Sequence, residues 1–498
     1  MNLTPKDRFG NEHAKGQAQE LIRISMSDLA LVCPSDQHGF IARETYTAHM
    51  SNCRAANQNQ SELDRRRVPI GHNCLYFLMV MLSFLEFLCA IPSVAANHYY
   101  VSTRGSDSNP CSQDSPCLTV QHAIGIFTLA SDGAVIHVAA GTYTDSVDDS
   151  TLSPACEGNS TWFCASRGGT SAAPLTIQCD APNYGCVANP GGNESSDIFA
   201  EFTHGSYITL SGFEYGNHPG AYLAIIGYAG APYPIPGGTN ISIIGNYMHD
   251  VGQTSAGGCP LEGMVTITYP ATGWVVSRNK IVHFGDDSLT NCYSAHGIYA
   301  GNGAIIQNNI IARVPAFGIQ LYKADCNNLV TNNVIFNIRT SGIILAGGGV
   351  GCSGPNGANT ITNNIIVNSG GAIYQDDSMT NHSLYANNMY YGNSDDTCKG
   401  CTGTVTGNIT SEAPSATFVN YQADGSGNYN LRSGSLAIGG GTTAGAGSPG
   451  CTSACAPTVD FDGSPRPSIP STKTDIGAYE YGSSAPAPPT MLRVISVK

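Results

Sequence analysis

The chain has 498 residues, among them 58 Gly and 18 Cys, and a formal net charge of −14. Residues 1–96 hold nine basic and nine acidic side chains, so the whole excess of acid lies beyond them. The chain has no basic stripe, which speaks against a nucleic-acid partner and against unaided capture of a polyanion.

Residues 1–64 are polar and aperiodic, and read as a leader or a misassigned start. Arg65-Arg66-Arg67, the apolar run 75–90 and Ser93-Val94-Ala95-Ala96 predict a signal peptide over 65–96. Glu86 breaks that run, which is short for a membrane span. The mature chain is therefore expected outside the cell or in the periplasm, as a monomer and free of the membrane. Cysteine usage agrees: the 14 Cys beyond residue 97 fall into close sequential pairs, as in an oxidising compartment. Cys398-Lys399-Gly400-Cys401 reads as a disulfide, because no second such pair or His cluster accompanies it.

Within 97–200, the stretch Val120–Ile124 with Ile126 and Phe127 predicts a short amphipathic helix covering one end of a core. Residues 146–200, rich in Pro, Gly and Cys, read as loops tied by disulfides. A repeated phrase then takes over. Two or three apolar residues precede an Asn at positions 246, 279, 309, 333, 364 and 388, spaced by 24 to 33 residues. A second phrase follows each: Gly263-Met264, Gly297-Ile298, Gly318-Ile319, Gly342-Ile343 and Ala372-Ile373. Such a period means a solenoid, propeller or array. Short β-branched runs punctuated by Gly and Asn are strands and turns, not helices. The predicted fold is all-β, a parallel β-helix. Its coils run over 201–395, with the Asn stacked as an internal ladder at a bend. Residues 396–482 read as looser terminal coils, and 483–498 as a Pro/Ala-rich linker with one terminal strand.

These phrases resemble the right-handed parallel β-helix superfamily, the pectate-lyase-like fold, over about residues 98–482. Tyr99-Tyr100-Val101-Ser102 and Ala139-Ala140-Gly141-Thr142-Tyr143 resemble its entry, and Asp475-Ile476-Gly477-Ala478-Tyr479-Glu480 a common closing strand. The resemblance implies the architecture and a polysaccharide as substrate or ligand. It assigns no catalytic residue: the Asp-Pro-His motif of β-helix epimerases is absent, and nothing matches the basic and calcium sites of pectate lyases.

Chemistry in a filled solenoid belongs on an outer face. Aligning the second phrase places Glu262, His296, Phe317 and Ser341 in one row, and Val265, Tyr299, Gln320, Ile344 and Tyr374 in another. Tyr322, Lys323 and Asp376 lie beside them. A further row after the Asn phrase is Asp250, His283, Arg313, Asn337 and Asn368, with His249 next to Asp250. Aromatic rings beside acids and amides suit a sugar. For β-elimination on a uronate, His296 or Tyr299 is the expected base, with Glu262 fixing the His296 tautomer. Arg313 and Lys323 are the expected partners of the substrate carboxylate, and Gln320 and Tyr322 the sugar contacts. For hydrolysis the available acids are Glu262 with Asp286 or Asp287. The acid pairs Asp286-Asp287, Asp376-Asp377 and Asp395-Asp396 also have the chemistry of Ca²⁺ ligands. A carbohydrate-binding or purely structural solenoid is the non-enzymatic alternative.

Overall fold

The structure is a computed structural model. It describes residues 96–148, 160–190, 198–227, 238–268, 270–301, 303–322, 326–347, 358–376, 383–443, 456–467 and 473–482. The expected leader, signal peptide and terminal linker lie outside these residues.

Three long sheets carry the chain. Sheet A has 11 strands, from Asn97–Val101 to Thr404–Thr406; sheet B has nine, from Gly141–Tyr143 to Met389–Tyr391. Sheet C has 10, from Val147–Asp148 to Cys398–Lys399. Each coil visits A, then B, then C, and equivalent strands of successive coils pair in parallel. Only the first pair of sheet C is antiparallel. The chain is a right-handed parallel β-helix, the hand that parallel crossovers take.

Period-two alternation sends one column of each sheet inward. In sheet A that column is Leu210, Ile243, Val276, Ile306, Val330 and Ile361, one above another and fully buried. Each such side chain contributes about 1.5–3 kcal/mol by burial. The bend from A to B leaves backbone groups without a sheet partner, and the repeated Asn supplies them. Asn246, Asn279, Asn309, Asn333, Asn364 and Asn388 are completely buried. From Asn279 onward each Oδ1 accepts from the backbone N–H and the side-chain amide of the Asn one coil before, as between Asn309 and Asn333 at 2.9 and 3.0 Å; Asn246, the first rung, accepts from the Phe213 N–H instead. Each Nδ2 also donates to a backbone carbonyl, as Asn333 does to Ile306.

Helix α1 (Val120–Ile126) is the expected cover. Thr119 caps it by accepting from the His122 N–H, and Val120, Ala123 and Ile124 face the core. Residues 160–202 differ from their reading as loops. They supply Ser160–Cys164, Leu175–Cys179, Cys186–Ala188 and Ile198–Phe202 to the three sheets. Trp162, Phe163 and Phe199 fill this wider end. Disulfides join Cys111 to Cys117, Cys179 to Cys186, Cys259 to Cys292 and Cys398 to Cys401.

The C-terminal part departs furthest from expectation. After Thr404–Thr406 the chain adds no further parallel coil among the described residues. It makes α2 (Pro414–Thr417) and a short antiparallel pair, Phe418–Asn420 with Asn428–Leu431. It then returns along the outside of sheet B. Phe418, Tyr429, Leu431, Ile476 and Ala478 form a second core with Ile310, Ala312, Val334, Phe336, Ile365 and Val367. The segment Asp475–Glu480 is thus an anchor in this strap, not a closing strand.

Candidate functional site

The outer face of sheet C carries most of the expected site. Its outward row reads Glu201, Ile226, Thr266, Tyr299, Gln320, Ile344, Tyr374 and Lys399. One part of the expected register is corrected. Gly263 lies opposite His296, and Val265 opposite Ile298. Met264, a core residue, therefore stands where later coils have Gly297, Gly318 and Gly342. A Cβ on Gly297 or Gly318 would come within 2.7 Å of Ile311 or Ile335. Matching glycine to glycine shifted this coil by one, so Val265 points inward and Thr266 takes its place.

The shift also parts Glu262 from His296. Their link is from the His296 N–H to the Glu262 carbonyl, 3.2 Å. His296 is buried, 3 % exposed, with its ring stacked near Tyr299 (centroids 5.9 Å) and Phe317 (5.6 Å). Its Nδ1 has no hydrogen-bond partner among the described residues. Burial pulls the imidazole down to about 3, so it stays neutral at any ordinary pH. The Tyr299 phenol is pushed well above its usual range, first by burial, then by the charges of Glu262 and Tyr322. Tyr322 tilts against Tyr299 at 6.0 Å. The Gln320 Oε1 is buried without a partner among the described residues. Two orphaned polar atoms thus lie in one aromatic patch, where buried polar groups are normally satisfied. Lys323 lies outside the described residues.

Arg313, Asp286 and Asp287 are not on this face. Arg313 is next to last in the sheet B strand Ile310–Val314, and its Nε donates to Asp287 Oδ2 at 2.8 Å. Asp286 accepts from the Ser288 N–H and hydroxyl, and these bonds lower its carboxyl below the usual range. Asp395 is held by Thr397, and Asp396 by Gly392 and Asn393. Asp377 lies outside the described residues. The one metal-like group among the described residues is Cys111, Cys117 and His122, and its two sulfurs are already joined to each other.

A second cluster lies on sheet B, and the sequence reading named only part of it. Glu214 Oε1 lies 3.3 Å from His249 Nε2; His249 Nδ1 lies 2.7 Å from Asp250 Oδ2; Asp250 Oδ1 lies 2.5 Å from His283 Nδ1. Three successive coils build this chain. Gly216 makes room for it, since a Cβ there would sit 2.4 Å from His249 Nε2. Burial lowers His249, but the bonds to Asp250 and Glu214 outweigh it and hold the imidazole above its ordinary 6.5. Bonds from His249 and His283 hold Asp250 well below the carboxylate range. Tyr247 stacks on His249 at 4.2 Å, and Lys280 lies over Tyr247. Glu214, Tyr247 and Lys280 were not singled out. The signal was their shared place after each Asn phrase, where later coils carry Ile310, Val334 and Ile365.

No family model matches the chain, and no curated protein matches it. Solved structures do. The pectate lyase Pel9A shares 15% identity over 78% of this chain and 97% of its own, with a TM-score of 0.41. An alginate lyase from Paenibacillus sp. str. FPU-7 shares 15% over 63% of this chain and 96% of its own, at 0.35. XylC in complex with xylose shares 13% over 59% of this chain, at 0.37, and this chain spans 65% of its length, just under two thirds. Likeness at this level concerns the fold and carries no argument about reaction or substrate.

Proposed function

We propose that the chain is an exported carbohydrate-active protein that receives a polysaccharide along the outer face of sheet C. The observation that carries this is the pair of buried, partnerless atoms, His296 Nδ1 and Gln320 Oε1, beside the rings of Tyr299 and Tyr322. Sugar hydroxyls meet both needs, one donating to Gln320 and one bonding the imidazole, while the rings stack on pyranose faces. The disulfides support export.

For the reaction we propose β-elimination on a uronate-containing chain. On this face His296 supplies an imidazole and Tyr299 a phenol, the two kinds of group between which elimination can divide its proton transfers. Hydrolysis needs two carboxylates about 5–9.5 Å apart. The two acids expected from the sequence on this face, Glu262 and Asp376, stand four coils apart, roughly 19 Å at the usual strand spacing, and Glu201, also in the outward row, is fully buried. A screen of plant and microbial polysaccharides tests the proposal. Ultraviolet absorbance from an unsaturated product is expected. Reducing ends without that absorbance indicate hydrolysis, and retention without turnover indicates a binding protein; either overturns the lyase reading.

His296→Phe separates folding from function. The larger ring fills the space and removes the orphaned nitrogen, so stability near neutral pH should be kept or gained. A histidine whose folded value is lowered loses stability as pH falls below its unfolded value of 6.5. At about pH 4.5 His296 should therefore cost roughly 2–3 kcal/mol that Phe avoids. Turnover should fall by about 10²-fold or more. Urea titrations at two pH values, with rates on a verified substrate, check both halves. Full turnover in the variant would remove His296 from the chemistry.

A further inference from the structure

The corner between sheets A and B holds a second ladder, just before the buried Asn. Its rungs are Gly212, Gly245, Arg278, Asn308, Asn332, Asn363, Asn387 and Gly407, all in the left-handed backbone region. Glycine and asparagine are the residues that tolerate it. The four Asn use their amides to hold the returning strap: Asn308 donates to Val459 O, Asn332 to Asp475 O, Asn363 to Thr442 O and Asn387 to Gly440 O. Arg278 is the one rung that is neither Gly nor Asn. It keeps a long side chain where the backbone disfavours one, and its half-buried guanidinium has no hydrogen bond or ion pair to any described residue. Strain held at one position of an otherwise regular ladder points to a use for that residue.

The guanidinium opens on a groove of about 340 Å³ lined by Tyr184, Gly212, Gly245, Arg278, Phe461 and Asp462. The floor is bare: nothing lies within 4 Å of where a Cβ on Gly245 would stand. Tyr184 borders one side, 5.6 Å from Tyr247, and the strap contributes Phe461 and Asp462. A methyl on Gly463 would meet Arg278 Nη1 at 3.1 Å, so the strap's turn lies against the guanidinium.

We propose that this groove binds a sugar ring carrying a carboxylate. A planar guanidinium matches a carboxylate with two parallel hydrogen bonds. Tyr184 and Phe461 offer aromatic surface to the apolar face of the ring, and the Asp462 carboxylate accepts its hydroxyls. An acid in the same groove disfavours a compact polyanion such as phosphate, and selects a ligand with one negative group and several hydroxyl donors. The groove lies away from sheet C, so the proposal stands without the lyase reading.

Calorimetric titration of the intact chain with D-glucuronate, D-glucose and inorganic phosphate tests it. Glucuronate should bind about 10-fold or more tightly than either control, since each lacks half of the recognised chemistry. Arg278→Asn should weaken glucuronate by about 10-fold or more with no loss of thermal stability, because Asn is the residue at the neighbouring rungs. The binding lost in Arg278→Asn should persist in His296→Phe, which separates this site from any binding on sheet C. The proposal is overturned if the wild type does not bind glucuronate, if glucose or phosphate binds as well, if Arg278→Asn binds undiminished, or if His296→Phe abolishes the binding.

Discussion

Asn333→Leu should cost about 2–9 kcal/mol, two or three stranded groups at about 1–3 kcal/mol each. Asn333 Oδ1 accepts from both nitrogens of Asn309, and its Nδ2 donates to Ile306 O, Thr331 O and Asn364 Oδ1. Leucine nearly matches the volume but meets none of these groups. No water reaches a position that is completely buried, so the Asn309 N–H loses its acceptor outright. The same change at Asn408 should cost much less, because that rung is half-buried and ends the stack. Urea unfolding of the two variants measures the difference. A cost below about 1 kcal/mol at Asn333, the size of one ordinary hydrogen bond, would show that the ladder does not hold the bend.

The strap's anchor should be nearly as sensitive. Arg466 and Glu480 are both fully buried and meet at 2.9 Å. Arg466 also donates to Asp475 O, Gly477 O and Asn308 Oδ1, and so joins the strap to the solenoid. Arg466→Met leaves a buried carboxylate without its cation and should cost about 3–5 kcal/mol. Adding Glu480→Leu should recover part of that, since a buried pair replaced on both sides is often neutral. A double-mutant cycle read by hydrogen exchange over 456–482 and over sheet A tells where the loss falls. If Glu480→Leu adds its full cost on top of Arg466→Met, the two charges are not coupled and the anchor lies elsewhere.

The solenoid was readable because its signal repeats. Six Asn at 24–33 residue spacing, each among β-branched residues, specify strands, bend and ladder together. The strap does not repeat, so periodicity is silent about it. Its cue was nonetheless present: Ile310-Ile311-Ala312, Val334-Ile335-Phe336 and Ile365-Ile366-Val367 are apolar on both faces, which implies cover on both sides. The site was legible by half. Tyr299, Gln320 and Tyr322 were placed together, because β-strand alternation sends i and i+2 to one face. Arg313, from a separate row, and the acids Asp286 and Asp287 were joined to them by chemistry alone, because sequence spacing does not say around which corner of a three-sided coil a residue falls. Glu262 was set beside His296 by an alignment of glycines, when Met264 held the equivalent position.

The strap changes how the solenoid can come apart. A bare stack of coils behaves as a one-dimensional chain, in which each unit feels only its neighbours and the end unit peels first. Here the amides of Asn308, Asn332, Asn363 and Asn387 grip backbone lying 53 to 151 residues further along. The coils nearest the C-terminal end cannot fray one by one, because the segment that binds them spans several at once. Loss of that end should therefore be a single concerted event, while the coils below Arg278, which the ladder's amides do not reach, retain the freedom to open separately.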